Sequence, residues 1–360
     1  MTAPILIMAG GTGGHVFPAL AVARELQVRD ATVIWLGTQR GIEAELVPAA
    51  GITLEWVRVS GLRGKGLLAW LLAPWRLLVA LYDALRVVRR RRPRVVLGMG
   101  GFASGPGGLA AWLLGRPLVI HEQNSVAGLT NRLLAGFARE VLEAFPGSFS
   151  GRVTTRVVGN PVRADIFALA EPEQRLAGRT GPLRVLVLGG SQGALALNET
   201  VAQAAALMPA DSRPEIYHQA GRNTLARAEA AYTEAGIEAR VEAFIDDMAA
   251  AYGWADLVIC RAGALTVAEL AAAGVGSVLV PYPAAVDDHQ TRNARYLADA
   301  GAAVLLPQSE LNPSRLAAEI QSYVTDRSLV LARARAARDL AQPAATQAVA
   351  DCCLQWGSGA

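Results

Sequence analysis

The residues with the clearest chemical potential stand at positions 10–15: Gly10, Gly11, Thr12, Gly13, Gly14 and His15. The apolar run Ile5, Leu6, Ile7, Met8, Ala9 precedes them, and a helix-like run over residues 19–26 follows. Apolar strand, glycine turn and helix together make a cradle for a phosphate or diphosphate. Glycines permit a tight turn and close backbone approach. The helix start then offers unpaired N–H groups at a positive dipole end. The spacing is not the three-glycine dinucleotide pattern, and no Lys follows the last glycine as in a Walker A loop. Thr12 and His15 add a hydroxyl and an imidazole at the mouth of the turn. A glycine-rich connection that only packs strand against helix stays open as the plainer account.

The theme recurs near position 190. Val185, Leu186, Val187 and Leu188 lead into Gly189, Gly190, Ser191, Gln192 and Gly193. Ser191 can hydrogen-bond a phosphate beside backbone N–H groups. Two glycine turns in two domains suggest a diphosphate-bearing substrate. Other polar groups cluster after apolar runs. His121, Glu122, Gln123 and Asn124 follow Leu118, Val119 and Ile120, where ligands of α/β sheets usually bind, and Asn131 and Arg132 sit on the next helix. Arg261 follows the buried-strand run 256–260 and leads through Ala264 and Leu265 to Thr266 and Glu269. The last two have capping-box spacing, so Glu269 reads either as a helix cap or as a carboxylate accepting from two adjacent sugar hydroxyls. Further on, His289, Gln290 and Asn293 open a helix and can read sugar hydroxyls or an acetamido group. Asp287 and Asp288 look more like a helix start than a metal pair. The diphosphate charge would then fall to backbone N–H groups, helix ends and arginines such as Arg163 and Arg261. The missing loop lysine disfavours a kinase, and the glycine spacing disfavours a dehydrogenase.

The elements that must hold these groups alternate strand and helix through both halves, which predicts parallel sheets covered on both faces. At 360 residues the chain can form two domains, each with its own core. Hydrophobic content of 52% against 18% charged residues excludes a disordered chain. A linker reading falls on residues 157–163, framed by Gly159 and Pro161. The expected division is a domain over 1–160, a second over 161–340, and a C-terminal helix in 341–360 that packs back on the first. Cys260, Cys352 and Cys353 show neither metal-ligand spacing nor a disulfide framework, which fits a reducing cytosol. The start lacks a basic region before a leader-length apolar segment, so no signal peptide is expected.

Charge is uneven. Residues 1–165 hold 19 Lys and Arg against 10 Asp and Glu, and the remainder holds 15 against 21. A basic first half suggests an anionic partner or surface. The most apolar region, residues 67–88, is interrupted by Pro74, Arg76, Asp83 and Arg86 and is too broken for a membrane span. Leu68, Leu71, Leu72, Trp75, Leu78, Tyr82 and Leu85 recur at helical spacing, followed by basic residues from Arg89 onward. This is an amphipathic helix beside a basic patch, suited to an anionic membrane. A core helix ending in a solvated charge run is the alternative.

Taken together, residues 10–15, 60–66, 98–108, 121–131, 159–163, 189–193, 244–248, 261–269 and 290–293 resemble one family across essentially the whole chain. It is the bacterial undecaprenyldiphospho-muramoylpentapeptide β-N-acetylglucosaminyltransferase family. The resemblance implies an α/β GT-B fold, two Rossmann-like parallel-sheet domains facing a cleft. It implies inverting transfer of N-acetylglucosamine from UDP-GlcNAc to lipid I, giving lipid II for cell-wall synthesis, cell shape and division. By similarity Phe244 and Ile245 line a uracil site and Glu269 binds the ribose. Ser191, Gln192 and Arg163 face the diphosphate, with Ala264, Leu265 and Thr266 at a helix start. Gln290 and Asn293 attend the sugar. In the first domain Thr12, Gly13 and Gly14 face the lipid diphosphate, with Asn124 and Asn131 placing the acceptor sugar. His15 is the expected general base and Glu122 the reserve. The membrane surface would comprise Leu68, Leu72, Trp75, Leu78, Tyr82, Arg86 and Arg89, on the cytoplasmic face of the inner membrane. Other cell-wall or division proteins are further expected partners. No cofactor, active-site metal or nucleic acid is expected. A UDP-GlcNAc 2-epimerase and a membrane-docked nucleotide-sugar-binding scaffold are the competing readings.

Overall fold

The computed structural model describes residues 3–39, 41–59, 72–149, 151, 153–190 and 193–357, with Val286 described by its backbone alone. The chain divides into two compact units, Met1–Arg163 with Pro343–Ala360, and Ala164–Gln342.

The first unit runs β1 (Ile5–Met8), α1 (Gly13–Val28), β2 (Val33–Gly37), α2 (Glu43–Ala49), β3 (Thr53–Trp56), α3 (Ala73–Arg91), β4 (Val95–Gly98), α4 (Ser104–Leu113), β5 (Leu118–Glu122), α5 (Leu129–Leu134), β6 (Glu140–Glu143) and β7 (Arg156–Val157). All strands pair in parallel in the order β3-β2-β1-β4-β5-β6-β7. Side chains alternate across a strand, so a sheet covered on both faces turns a strand into an unbroken apolar run. Ile5 and Ile7 enter one core with Trp35, Leu97, Val16 and Leu20. Leu6 and Met8 enter the other with Ile34, Leu36, Ile120, Ala80 and Ala84. The helix Ala345–Gly357 returns to the first of these cores through Val349, Ala350, Cys352 and Cys353. Asp351 pairs with Arg29, and the Trp356 indole N–H donates to Glu140 Oε2 at 2.9 Å.

Helix α3 buries a different face from the apolar stripe. Its core contacts are Ala80, Ala84, Val87 and Val88. Trp75, Leu78 and Tyr82 stand 67%, 60% and 62% exposed, with Arg86 and Arg89 also exposed. Small residues let the helix lie close to the sheet, and the large apolar ones are left outside.

The second unit runs α6 (Ala164–Phe167), α7 (Pro172–Leu176), β8 (Arg184–Leu188), α8 (Leu195–Leu207), β9 (Glu215–Gln219), α9 (Leu225–Ala235), β10 (Arg240–Glu242), α10 (Met248–Trp254), β11 (Leu257–Cys260), α11 (Ala264–Ala273), β12 (Ser277–Leu279), α12 (His289–Ala298), β13 (Ala303–Leu305), α13 (Pro313–Thr325) and α14 (Ser328–Asp339). Its sheet is parallel throughout, in the order β10-β9-β8-β11-β12-β13. Val185, Val187, Leu257 and Ile259 meet Val201 of α8 and Leu316 and Ile320 of α13.

Arginines close the ends of two helices here. Arg175 donates to the carbonyls of Ala255 and Gly274, and Arg338 to that of Ala272. Arg179 reaches the carbonyls of Gly253 and Trp254 and the carboxylate of Asp256. These groups satisfy carbonyls that a helix leaves unpaired at its C-terminus. Burial lowers the Arg175 guanidinium to about 10. Asp247 caps α10, accepting from Ala250 N at 2.9 Å. Helix α11 starts at Ala264 with Gly263 at its N-cap, so Glu269 lies in the middle of the helix and does not serve as part of a cap.

Candidate functional site

Each sheet changes direction of strand order beside its first strand, between β1 and β4 and between β8 and β11. Loops leaving the strand ends at such a reversal turn toward opposite faces, which makes the carboxyl edge there the usual ligand position. In the first unit those loops are residues 10–14 and 99–103. They cross so closely that a Cβ on Gly101, which has φ +80, would collide with the backbone of Gly10. Gly100, at φ +88, leaves room for His15; a Cβ there would lie 2.6 Å from His15 Nδ1. Thr12 is the N-cap of α1 and is exposed with Gly14, whereas Gly13 and His15 are half-buried. No side chain among the described residues caps α1; the His15 and Val16 N–H groups donate to the Thr12 carbonyl at 3.1 and 3.2 Å.

Glu43 fixes this turn from outside it. The side chain is fully buried at the start of α2. Its carboxylate accepts from Gly11 N at 3.0 Å, Thr38 N at 2.9 Å and Thr38 Oγ1 at 2.7 Å. The sequence marks it only as a helix residue. The available signal was the set of glycines, Gly10, Gly37 and Gly41, that crowd around it, since a Cβ on any of them would overlap its side chain.

The end of β5 supplies the other polar groups of this unit. His121, Glu122 and Gln123 are buried. Glu122 accepts four hydrogen bonds: Asn124 N at 2.9 Å, Asn124 Nδ2 at 3.2 Å, Gly128 N at 3.0 Å and Asn131 Nδ2 at 2.9 Å. It thereby holds the segment from Asn124 to the start of α5. Gln123 reaches His15 across 2.9 Å, from its Oε1 to the ring Nδ1. Arg163 is half-buried and is the last residue of the unit's first segment.

In the second unit the turn after β8 includes Gly189, Gly190 and Gly193, while Ser191 and Gln192 lie outside the described residues. The Gly189 N–H donates to Gln219 O at 2.9 Å. Gln219 also receives the Ile245 N–H at its Oε1, at 3.3 Å, so the turn and the segment after β10 share one anchor. Ile245 is buried beside an exposed Phe244. Helix α11 brings Ala264, Leu265 and Thr266 to its first turn, which no side chain among the described residues caps. Glu269 lies one turn on and is buried, accepting the Tyr252 hydroxyl at 3.1 Å. The sequence did not single out Tyr252 or Gln219.

Arg261, Gln290 and Asn293 are tied to backbone. Arg261 donates to the carbonyls of Val280 and Pro281 at 3.1 and 3.2 Å and to Gln308 Oε1 at 2.7 Å. Its guanidinium is pushed below its ordinary range by burial. Asn293 donates to Ala262 O at 3.1 Å, and Gln290 Oε1 accepts from Tyr282 N at 2.9 Å. These three therefore shape the loops after β11 and β12.

Leu68 lies outside the described residues; Leu72, Trp75, Leu78 and Tyr82 are exposed on α3. Trp112, Leu113, Leu129, Leu133 and Phe137 add exposed apolar surface on α4, on α5 and just beyond α5, with Trp112 and Phe137 rings 4.7 Å apart. No helix among the described residues is long and apolar enough to cross a membrane. No group of three or more His, Cys, Asp or Glu among them could hold a metal ion.

Comparison with known proteins accounts for both units. The Glycosyltransferase family 28 N-terminal domain matches residues 5–143, and the Glycosyltransferase family 28 C-terminal domain matches residues 184–350. A UDP-N-acetylglucosamine--N-acetylmuramyl-(pentapeptide) pyrophosphoryl-undecaprenol N-acetylglucosamine transferase of Marinobacter nauticus is 59% identical over 98% of both chains. The protein so named from Nitrosococcus oceani is 59% identical over 100% of both. Among solved structures, MurG of Acinetobacter baumannii superposes with a TM-score of 0.82 at 42% identity, covering 98% of this chain and 99% of that one. The calicheamicin glycosyltransferase CalG4, at 18% identity and a TM-score of 0.69 over 99% and 98% of the chains, shares the fold.

Proposed function

This chain belongs to glycosyltransferase family 28, and on that premise we propose that it transfers N-acetylglucosamine from UDP-GlcNAc to undecaprenyl-diphospho-N-acetylmuramoyl-pentapeptide, lipid I. The products are lipid II and UDP. The observation that carries this reading is the 59% identity, over the full length of both chains, to transferases named for that reaction. The same likeness supports the transferase over an epimerase or a binding scaffold.

The second unit takes the donor. Glu269, buried and already oriented by Tyr252, accepts hydrogen bonds from the ribose hydroxyls. Phe244 and Ile245 line the uracil. The uncapped first turn of α11, with Ala264, Leu265 and Thr266, meets the diphosphate through N–H groups and the helix dipole. Ser191, Gln192 and Arg163 add to it. Arg261, Gln290 and Asn293 hold the sugar-side loops in shape, and Gln290 also meets the sugar.

The first unit takes the acceptor. Thr12, Gly13 and Gly14 face the lipid diphosphate at the start of α1. Asn124 and Asn131 place the acceptor sugar. The acceptor's C4 hydroxyl attacks the anomeric carbon as His15 removes its proton, and UDP leaves from the opposite side with inversion. Glu122, the reserve for that role, accepts four hydrogen bonds and anchors the 124–131 segment. Leu72, Trp75, Leu78 and Tyr82, with Arg86 and Arg89, rest on the anionic cytoplasmic face of the membrane that carries lipid I. Leu68 belongs to the same stripe. Other cell-wall or division proteins meet the enzyme there.

The test is transfer of radiolabelled N-acetylglucosamine from UDP-GlcNAc to a lipid I analogue by the purified protein, with EDTA and with Mg²⁺. Label in the lipid product, lost in Glu269→Ala, supports the reading and the donor-site assignment. Donor binding without transfer under either condition would overturn the acceptor assignment.

A further inference from the structure

Four polar groups behind the first glycine turn form a chain whose directions can be read from their partners. Gln123 Nε2 lies 2.9 Å from the carbonyl oxygen of Met99. Only a donor can face a carbonyl, so the amide nitrogen points there and Oε1 points the other way, toward His15 Nδ1 at 2.9 Å. His15 Nδ1 must then carry the hydrogen. Behind Gln123, His121 Nε2 lies 2.9 Å from the Gly159 carbonyl oxygen, so that nitrogen carries its own hydrogen. Burial lowers the His121 imidazole to about 4, which leaves it neutral with a lone pair on Nδ1. That lone pair faces Gln123 Nε2 at 3.3 Å. Every member of the chain thus has one assignment: Gly159 carbonyl, His121 with hydrogen on Nε2, Gln123 with oxygen forward, His15 with hydrogen on Nδ1.

We propose that His121 and Gln123 are positioning residues that hold His15 in its Nδ1–H tautomer, leaving Nε2 for the acceptor hydroxyl. This rests on the reading of His15 as the base. A free imidazole prefers neither tautomer strongly, and a base in the wrong one cannot take the proton. The surroundings keep the chain in register. The ring of His15 lies where a Cβ at position 100 would be, and Gln123 O accepts from Asn160 Nδ2 at 3.2 Å. The chain therefore ends in residues 159–160, the last stretch of the first unit before Ala164. Its members come from three separate places in the sequence, around residues 15, 121–123 and 159, which is why no motif announces it.

The test uses the full-length protein labelled with ¹⁵N in its four histidines. Long-range proton–nitrogen correlation spectra report the tautomer of each ring, with His15 assigned by its loss in His15→Ala. The expected result is hydrogen on Nδ1 for His15 and on Nε2 for His121. In Gln123→Met, which keeps the volume and removes the acceptor, His15 shifts toward the other tautomer. Turnover of the lipid I analogue then falls about tenfold or more, with KM for UDP-GlcNAc unchanged, because only a step at the acceptor is weakened. A wild-type His15 with hydrogen on Nε2 overturns the proposal, and this reading does not depend on any variant folding. So does a folded Gln123→Met protein with unchanged tautomer and turnover. If the spectra are as expected but His15→Ala still turns over at the wild-type rate, the base reading fails while the tautomer assignment stands.

Discussion

The carboxylate of Glu43 holds the Gly11 N–H at 3.0 Å, so the second helix of the first unit sets the shape of a turn more than 30 residues before it. With Thr38 bonded to the same carboxylate, one buried acidic side chain ties the loops after β1 and β2. Glu43→Gln places an amide N–H against one of those donors. Hydrogen bonds to a charged group are worth about 1.5–3 kcal/mol each, so unfolding stability is expected to drop by about 2 kcal/mol. Denaturant unfolding monitored by Trp35, buried in the same unit, measures it.

Tyr252 aligns Glu269, and the two should separate in their effects on the donor. On the proposed donor site, Glu269→Ala is expected to remove the acceptor for the ribose hydroxyls and to weaken UDP binding about 10- to 100-fold. Tyr252→Phe leaves the carboxylate in place with one partner fewer and should weaken binding only about threefold to tenfold. Calorimetric titration with UDP distinguishes them; equal losses would mean that the tyrosine, and not the carboxylate, meets the ribose.

Trp75→Glu and Leu78→Glu each put a negative charge into the exposed stripe of α3. Co-sedimentation with vesicles containing phosphatidylglycerol is expected to fall about tenfold or more, the fall corresponding to at least 1.4 kcal/mol. Thermal unfolding should hardly move, because both side chains are exposed in the folded chain. Added salt should weaken wild-type binding as well, through Arg86 and Arg89.

Acid should destabilise both units through buried imidazoles. Burial lowers His121 from its ordinary 6.5 to about 4 and His218 to about 3. As pH falls below 6.5, the unfolded chain takes up a proton at each position and the folded chain does not. Each ring then costs about 3 kcal/mol by pH 4, and above pH 6.5 the effect is absent. His218 bonds the Tyr232 hydroxyl and Asn198 Oδ1. In His218→Gln the decline of Tm between pH 6.5 and 4 should be shallower, measured by scanning calorimetry; an unchanged slope would mean that ring is not neutral in the fold.

The strands and glycine turns were legible because a parallel sheet covered on both faces demands unbroken apolar runs, and Ile5 to Met8 and Leu257 to Cys260 supply them. Strand β6 was not, since Glu140 and Glu143 interrupt its apolar pattern with side chains that the fold satisfies elsewhere: Glu143 accepts the Gly147 and Ser148 N–H groups. The spacing of Thr266 and Glu269 imitated a capping box, but Gly263 in an extended conformation starts the helix earlier and frees the glutamate for another partner. In the stripe on α3, periodicity alone could not say which face was buried. Alanines can approach a sheet as closely as leucines can fill space, so the smaller residues took the inside. Glu43 was silent because its partners are backbone groups and a side chain brought near only by the completed sheet; Gln123 was marked in the polar cluster after β5, but its partner His15, 108 residues away, was not.

The return of residues 345–357 to the first unit has a consequence for biosynthesis. Val349, Ala350, Cys352 and Cys353 belong to the same core as Ile5, Ile7 and Trp35. On the ribosome, the part that begins first is therefore finished last: the sheet started by β1 waits for its final helix while the whole second unit emerges and can close its own core. A premature stop that removes only this helix would leave the later-made unit intact and the earlier-made one with an open apolar face, a target for chaperones and proteases.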